Sequence, residues 1–212
     1  MQRMNTIPIV LCPLVCALVM SACVQARSSS AQPARDLPRV RVELHEFAGG
    51  YVEHAAFARA AAQRLEDALN SAEFQRAVVN GRFKHTRGRS SAQVLDSILR
   101  AREVQGPGGA DGVVDLRLRT ITREDGEKWL KWCEPGSRVG TIGMDGSGTG
   151  VVATCPQHLE QWAKTADVGE LAGHMMHEYM HLLGYSHPWP GKYRSATYQI
   201  GDLATEAVNG AL

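Results

Sequence analysis

The sequence is short of cysteine, of aromatic residues and of any excess charge. Its 212 residues include only 5 cysteines and 6% aromatic residues, and 23 Lys and Arg nearly balance 22 Asp and Glu. Cysteine is too sparse for a small domain built on disulfides, and a net charge of +1 predicts no basic surface for nucleic acid. Balanced charge with 44% hydrophobic residues also excludes a disordered chain. The length suits one domain with a sizeable core.

The apolar run at the N-terminus is too short to cross a bilayer. Residues 7–20 would rise only about 21 Å as a helix, which is typical of the hydrophobic region of a signal peptide. The run is followed by Ser-Ala-Cys, ending at Cys23. This junction resembles the cleavage site of bacterial lipoproteins, in which the cysteine is lipidated and becomes the first residue. The resemblance implies a signal peptide over residues 1–22 and a lipid anchor at Cys23. An ordinary secretory signal with an incidental Cys23 is the alternative.

The exported part of the chain is predicted to consist of a tether and one domain. Residues 23–38 are rich in Ser, Gln, Ala and Pro without periodicity, which indicates a flexible tether. Residues 39–212 form the domain, and its two cysteines are Cys133 and Cys155. Because an exported domain lies in an oxidising compartment, we expect a disulfide between them. Two buried, unpaired thiols are the alternative.

Hydrophobic periodicity predicts that the domain contains both helices and strands. The strand patterns lie at residues 40–47, 113–121, 139–144 and 151–155. The helical patterns lie at residues 52–70, 92–102 and 168–183, with 202–208 compatible with a further helix. The last two strand segments flank a glycine-rich turn and are therefore predicted to form a hairpin.

The chemistry is concentrated in residues 177–187, which read His-Glu-Tyr-Met-His-Leu-Leu-Gly-Tyr-Ser-His. On a helix, His177 and His181 lie one turn apart on one face, so their imidazoles can converge on a single ion. Glu178 follows the first histidine and faces the same cleft. Its carboxylate can accept a proton from a water molecule on that ion.

The end of this segment is suited to bringing a third imidazole back to the same ion. Gly184 can adopt the positive φ that ends a helix and reverses the chain. Pro188 disfavours the helical region for the residue before it, so His187 is expected to be extended. Both features favour His187 as the third ligand.

Residues 177–187 resemble the zinc-binding signature of the metzincin metallopeptidases, His-Glu-x-x-His-x-x-Gly-x-x-His. The resemblance implies one Zn²⁺ per chain held by His177, His181 and His187, with Glu178 as the general base. It also implies a zincin-like α+β fold, in which a long helix backs a mixed twisted sheet and an active-site helix carries the zinc motif. A protein or peptide substrate would lie extended beside an edge strand, for which residues 150–154 are the candidate.

The chain lacks the methionine for which the metzincins are named. In that family it follows the third histidine and lies beneath the zinc, whereas all seven methionines of this sequence precede His187. The residues in the expected place that could replace it are Thr197, Tyr198 and Ile200. Tyr198 is also a candidate catalytic residue, because its hydroxyl could donate a hydrogen bond to a developing oxyanion.

A second family of metallopeptidases offers a different third ligand. In the gluzincins this ligand is a glutamate on a later helix, and Glu206 follows His181 by 25 residues. Gly184 and Pro188 are explained only by His187 as the ligand. Glu206 is otherwise expected on an exposed helix face.

The remaining histidines are expected to have structural roles. His174 lies one turn before His177 and is predicted to be a core histidine or to support a ligand, since a catalytic zinc needs three protein ligands and an open position. The histidines expected at the surface or in strands are His45, His54, His85 and His158.

The expected function is that of an extracytoplasmic zinc endopeptidase, anchored in the bacterial cell envelope through Cys23. The alternative is a non-catalytic zinc-containing lipoprotein that binds a protein or peptide partner. A purely structural zinc site is closed by four protein ligands, so His174 as a fourth ligand would support that alternative.

Overall fold

Three strands and seven α-helices make up the described part of the chain. The computed structural model describes residues 39–104, 109–127, 129–134, 151–188 and 191–212. The predicted signal peptide, Cys23, the tether, and residues 139–150 of the predicted hairpin lie outside the described residues. Among the helices that are described, none combines the length and the apolar character needed to cross a membrane.

The sheet is parallel throughout its three described strands. These are β1 (Arg41–Ala48), β2 (Val113–Thr120) and β3 (Val151–Thr154), in the spatial order β1-β2-β3. The strands predicted at residues 40–47, 113–121 and 151–155 are confirmed within one or two residues. The resemblance to zincins implied a mixed sheet. The three described strands do not form one, because β3 pairs with β2 in parallel, as β2 does with β1. Parallel neighbours require long crossover connections rather than hairpins, and the first crossover holds four helices.

The helix predicted at residues 52–70 is divided in two. Helix α1 (Gly50–Glu53) ends at His54, and α2 (Ala55–Leu69) begins there, because the backbone of His54 leaves the helical region at φ −100° and ψ 22°. Helix α2 buries an Ala- and Leu-rich face that includes Leu65 and packs against β1 and the helix that carries the histidine motif. Helix α2 is therefore the predicted helix that packs on the sheet, and it is shorter than the predicted range 52–70.

Two further helices complete the first crossover. Helix α3 (Ala72–Asn80) was not predicted, because it buries only Phe74 and Val78. Helix α4 (Ser91–Leu99) begins as expected at Ser90, whose hydroxyl accepts a hydrogen bond from the Gln93 amide, while the Gln93 side chain accepts one from the Ser90 amide. This capping box satisfies two backbone donors that the first turn leaves free.

The C-terminal half is helical after β3. It contains α5 (Pro156–Thr165), α6 (Val168–Leu182) and α7 (Ala196–Val208). Helix α6 is the predicted motif helix; most of its residues are buried, and it packs against both α2 and α7. Helix α7 begins six residues before the predicted stretch 202–208, and α5 was not predicted.

A disulfide joins Cys133 to Cys155, as the cysteine count predicts, with the two Cα atoms 5.2 Å apart. Both cysteines are fully buried and belong to a small apolar cluster that is separate from the main core. Trp129 and Trp132 pack against this cluster. The bond thus connects the short π-helix Trp129–Cys133 to the end of β3.

Candidate metal centre

Helix α6 is fixed at both ends, which determines where its histidines lie. At its start, the Asp167 side chain accepts a hydrogen bond from the Glu170 amide at 3.2 Å. At its end, the Gly184 amide donates to the His181 carbonyl at 2.8 Å and the Tyr185 amide donates to the Met180 carbonyl at 2.9 Å. Gly184 has φ +82°, a conformation that glycine adopts without strain. This pair of hydrogen bonds is a Schellman motif, and it turns the following residues back across the helix.

The turn brings three histidines together. His177 and His181 come from α6, and His187 comes from the segment after the turn; one ring nitrogen from each lies within 4.8 Å of the others. The ring centroids are 5.3 Å apart for His177 and His181, 5.2 Å for His177 and His187, and 4.8 Å for His181 and His187. All three side chains are partly buried. A single metal ion fits between imidazoles at this spacing after small side-chain movements.

His181 provides the most direct evidence that the cluster suits a metal ion. Its Nδ1 lies 2.9 Å from the Tyr185 carbonyl oxygen, which can only accept a hydrogen bond, so Nδ1 carries the proton. Its Nε2 is then the nitrogen with the free lone pair, and this atom is buried without a hydrogen-bond partner. Metal-binding histidines commonly donate their second ring N–H to a carbonyl in this way.

The ionisation of the three histidines also suits metal binding. Burial lowers the pKa of His181 to about 4 and lowers the pKa of His177 well below its usual range. Burial lowers the pKa of His187 as well, and Lys192 and His85 add to the effect. The imidazoles are therefore neutral near pH 7, and a neutral imidazole is the form that coordinates a metal.

Glu178 lies next to the cluster, on the side that faces β3. Its side chain is only 5% exposed, and one carboxylate oxygen lies 3.9 Å from Nδ1 of His174. The same pocket contains a buried hydrogen bond of 2.7 Å between the hydroxyl groups of Tyr51 and Thr154. Burial raises the pKa of Tyr51, and the negative charge of Glu178 raises it further. The carboxylate thus lies in a polar but enclosed environment.

Tyr198 packs against two of the three histidines. Its ring meets that of His177 edge-on at 4.5 Å between centroids and that of His187 at 4.8 Å. Burial raises the pKa of Tyr198, so its hydroxyl stays protonated and can donate a hydrogen bond. The structure therefore brings this predicted residue to the site, while its catalytic role stays a prediction.

Gly201 packs against His177, and sequence reasoning missed this contact. A Cβ atom at Gly201 would lie 3.2 Å from the Cβ of His177 and 3.1 Å from the carbonyl oxygen of Gly173. Thr197 and Ile200, two of the predicted replacements for the methionine, are fully buried in α7. The available signal was a glycine directly before the helix-compatible stretch 202–208, and a glycine in a helical pattern can have a packing role.

The alternative ligands lie outside the cluster. Glu206 is exposed on α7 and is not among the grouped ligand atoms, which fits its interpretation as a solvated helix residue. His174 is 5% exposed, donates a hydrogen bond to the Ala153 backbone, and has its pKa lowered to about 3 by burial. It is a core histidine, as expected.

The other four histidines have more varied positions than the sequence predicted. His45 is exposed in β1, but His54 lies between two helices and His158 lies in α5. His85, which the sequence predicts at the surface or in a strand, has φ +57°, and its Nε2 is buried without a hydrogen-bond partner among the described residues. Its influence on the pKa of His187 places it near the cluster.

A second group of possible metal ligands lies on the sheet and consists of Glu43, His45 and Asp115. Its members already have partners. Nε2 of His45 contacts the Asp115 carboxylate, and the Glu43 carboxylate pairs with Arg41 at 3.2 Å. The group is thus explained by ordinary ion pairs.

The described residues therefore bring three neutral imidazoles together, with the ring of Tyr198 packed against two of them and the buried Glu178 directly following His177 in helix α6. Such a set can bind one divalent ion and still leave an open position beside a base. Comparisons with protein-family models, with curated proteins and with solved structures give no match.

Proposed function

We propose that this protein is a zinc-dependent endopeptidase of the cell envelope, similar to the metzincins. The observation that carries the proposal is the convergence of His177, His181 and His187, with the free Nε2 of His181 buried among them. Glu178 lies beside this cluster. The proposal includes a zincin-like fold, supported by α2 packed against α6 and by α6 carrying the motif.

The donor set favours zinc over other common metals. Imidazole nitrogens suit Zn²⁺, whereas Ca²⁺ and Mg²⁺ take oxygen ligands. A structural zinc site would have four protein ligands, and the described residues contribute three to this cluster. When bound, zinc would lower the pKa of a coordinated water and polarise the carbonyl of the scissile peptide bond.

The chain's own residues supply the remaining steps. Glu178 would accept a proton from the attacking water and return it to the amine that leaves. The protonated hydroxyl of Tyr198 would donate a hydrogen bond to the oxygen on which negative charge develops. The substrate backbone would lie extended along β3, which is one of the two edge strands among the described strands of the sheet.

The experiment that tests this function compares the wild type with Glu178→Gln, each loaded with zinc. Both are incubated with a diverse peptide mixture, and products are identified by mass spectrometry. Glutamine keeps the shape of the side chain but cannot accept the proton, so hydrolysis should fall about 10²–10⁴-fold while zinc content and fold are unchanged. Glu206→Gln makes the same substitution at an exposed position and should leave hydrolysis unchanged.

Two results would contradict the proposal. Hydrolysis that is unaffected by Glu178→Gln would mean that the activity belongs to another site or to a contaminant. A zinc-loaded wild type that binds peptides from the mixture without cleaving any would favour the alternative, a non-catalytic zinc lipoprotein.

A further inference from the structure

Two segments on one side of the metal cluster lie against each other. The Lys84 amide donates to the Arg194 carbonyl at 2.7 Å, and the Lys84 carbonyl accepts from the Ala196 amide at 2.9 Å. These bonds form a parallel bridge between Lys84 and Ser195. The loop 81–90, which follows α3, is thus held beside the segment 191–196, which leads into α7.

Both segments are basic and contain no acidic residue. Their positively charged residues are Arg82, Lys84, Arg87, Arg89, Lys192 and Arg194. Because the whole chain has a net charge of only +1, this concentration reflects where the charges are placed rather than an overall excess.

Several of these charges have no carboxylate partner in the described part of the protein. Lys84, Arg87 and Arg194 are exposed, and none takes part in an ion pair between described residues. Elsewhere, exposed arginines such as Arg76 and Arg100 pair with a carboxylate one turn away on their own helix. We call Lys84, Arg87 and Arg194 the basic rim, together with Lys192, which contacts the rings of Tyr193 and Tyr198.

The basic rim borders the metal cluster at two points. Nζ of Lys192 lies 5.9 Å from the ring centroid of Tyr198, and that ring is 4.8 Å from the ring of His187. At the other point, the Arg87 guanidinium donates to the Gly184 carbonyl at 3.4 Å, in the turn between the second and third ligands. A ligand bound on the rim would therefore lie close to the cluster.

We propose that the basic rim binds carboxylate side chains of the substrate, so that the enzyme prefers acidic peptide segments. This inference rests on the proposed peptidase function and specifies its substrate class. Tyr193, which is 63% exposed, lies beside Lys192 and offers an aromatic surface to the peptide chain. The rim is a small basic patch on a protein with almost no net charge, whereas a protein that binds a long polyanion normally has a strongly basic surface. An acidic peptide therefore fits the rim better than a polyphosphate.

Exposed ion pairs are individually weak, which sets the size of the expected effect. Each such ion pair raises the affinity about 1.4- to 5-fold. Loss of two should therefore reduce the preference for the acidic over the neutral peptide about 2- to 30-fold. The effect should also decrease at high salt, since screening shortens the range of exposed charges.

The first test measures kcat/KM for two peptides that differ only in Asp and Glu against Asn and Gln. The variant carries Lys84→Gln and Arg194→Gln. The hydrogen bonds that join these two residues are made by backbone atoms, so they do not depend on the replaced side chains. The control carries Arg39→Gln and Arg76→Gln, which give the same change in net charge away from the cluster. The ratio of kcat/KM for the acidic and neutral peptides should fall in the variant and stay unchanged in the control.

The second test measures binding and so does not depend on hydrolysis. The same peptides carry a fluorescent label, and their anisotropy is followed on zinc-loaded Glu178→Gln of the full chain. The acidic peptide should bind more tightly at about 0.05 M salt than at about 0.5 M, and the advantage should decrease when Lys84 and Arg194 are replaced.

The outcomes separate this inference from the proposed function. Equal binding of the two peptides would overturn the inference, whether or not they are cleaved. Binding of the rim to vesicles containing phosphatidylglycerol, without discrimination between the peptides, would overturn it in favour of a lipid surface. A preference for the acidic peptide without any hydrolysis by the wild type would support the inference and contradict the peptidase function.

Discussion

At the residue scale, His187 is the proposed ligand whose position depends least on helix α6. His177 and His181 have their spacing set by one turn of α6, whereas His187 reaches the cluster only because Gly184 reverses the chain. One ring nitrogen of His187 lies with those of the other two histidines, and this favours the proposed metzincin-like arrangement over a gluzincin-like one, in which Glu206 would serve instead.

His187→Ala should therefore lose zinc while the fold is retained. Removing one of three ligands leaves an incomplete coordination shell, and we expect the zinc affinity to fall by more than the roughly 10- to 100-fold that loss of an outer partner causes. Metal analysis of purified protein measures this, with Glu206→Ala as the control that keeps its zinc. If Glu206→Ala lost the metal and His187→Ala kept it, the gluzincin-like arrangement would replace the one proposed.

The residues of the site differ in how far the sequence reveals them. The motif 177–187 predicts its own geometry, because helix periodicity, a glycine turn and a proline act within eleven residues. Gly201 and His85 reach the cluster through contacts between segments distant in the chain, and no local pattern encodes such contacts. The residues around His85 in its basic loop do not distinguish it from an ordinary surface histidine.

At the element scale, the contact between α6 and α7 supports the metal centre. Gly173 on α6 lies against Gly201 on α7, and Gly201 in turn lies beneath His177. The absence of side chains at these two positions lets the helices approach closely. The position of His177 thus depends on a helix that carries none of the three ligands.

Gly173→Ala should destabilise the protein and weaken zinc binding. The new Cβ would overlap the Thr205 hydroxyl and lie 2.9 Å from the Gly201 carbonyl oxygen, so the helices must separate. Overpacking of this kind costs about 1–3 kcal/mol, although alanine favours the helix by up to about 1 kcal/mol. Urea unfolding measures the net change. Gly109→Ala, where a Cβ meets no atom within 4 Å, is the control; equal stability of the two variants would contradict the packing.

The elements that the sequence predicted are those with strong local signals. Strands β1 and β2 show alternation, α4 has its capping box, and α6 has a long apolar face. Helix α5 lacks such a signal because it buries only Leu159 and Trp162. The parallel pairing of β3 was equally hidden, since strand partners are chosen by contacts across the sheet rather than by the strand's own residues.

At the scale of the whole molecule, the buried His174 makes stability depend on pH. Burial lowers its pKa to about 3 in the folded protein, whereas an exposed histidine titrates near 6.5. As the pH falls from about 6.5 towards 3, the unfolded chain binds this proton first, so the folded state loses stability over that window.

His174→Gln should remove this part of the acid sensitivity. The comparison is made by urea unfolding of metal-free protein at pH 7 and pH 4. The loss of unfolding free energy between the two pH values should be smaller in His174→Gln than in the wild type. An identical loss in the two proteins would show that His174 is not buried in its neutral form.

The proposed anchor determines where the whole molecule acts. If Cys23 carries the lipid, Cys23→Ser should move the protein from the membrane fraction to the soluble fraction, because the anchor would be its attachment to the bilayer. Fractionation and mass analysis of the N-terminus measure this. Unchanged membrane association, together with an unmodified cysteine in the wild type, would refute the anchor.

The carbonyl of Tyr185 couples the metal centre to the backbone. A cation on Nε2 of His181 would withdraw electron density from the ring, making the Nδ1–H a stronger donor to that carbonyl. The amide of the same residue closes the Schellman motif on Met180, so both sides of Tyr185 would be held when the ion is present. The stretch that delivers His187 would then be most rigid in the occupied protein, and a chelator would loosen this stretch before the rest of the fold.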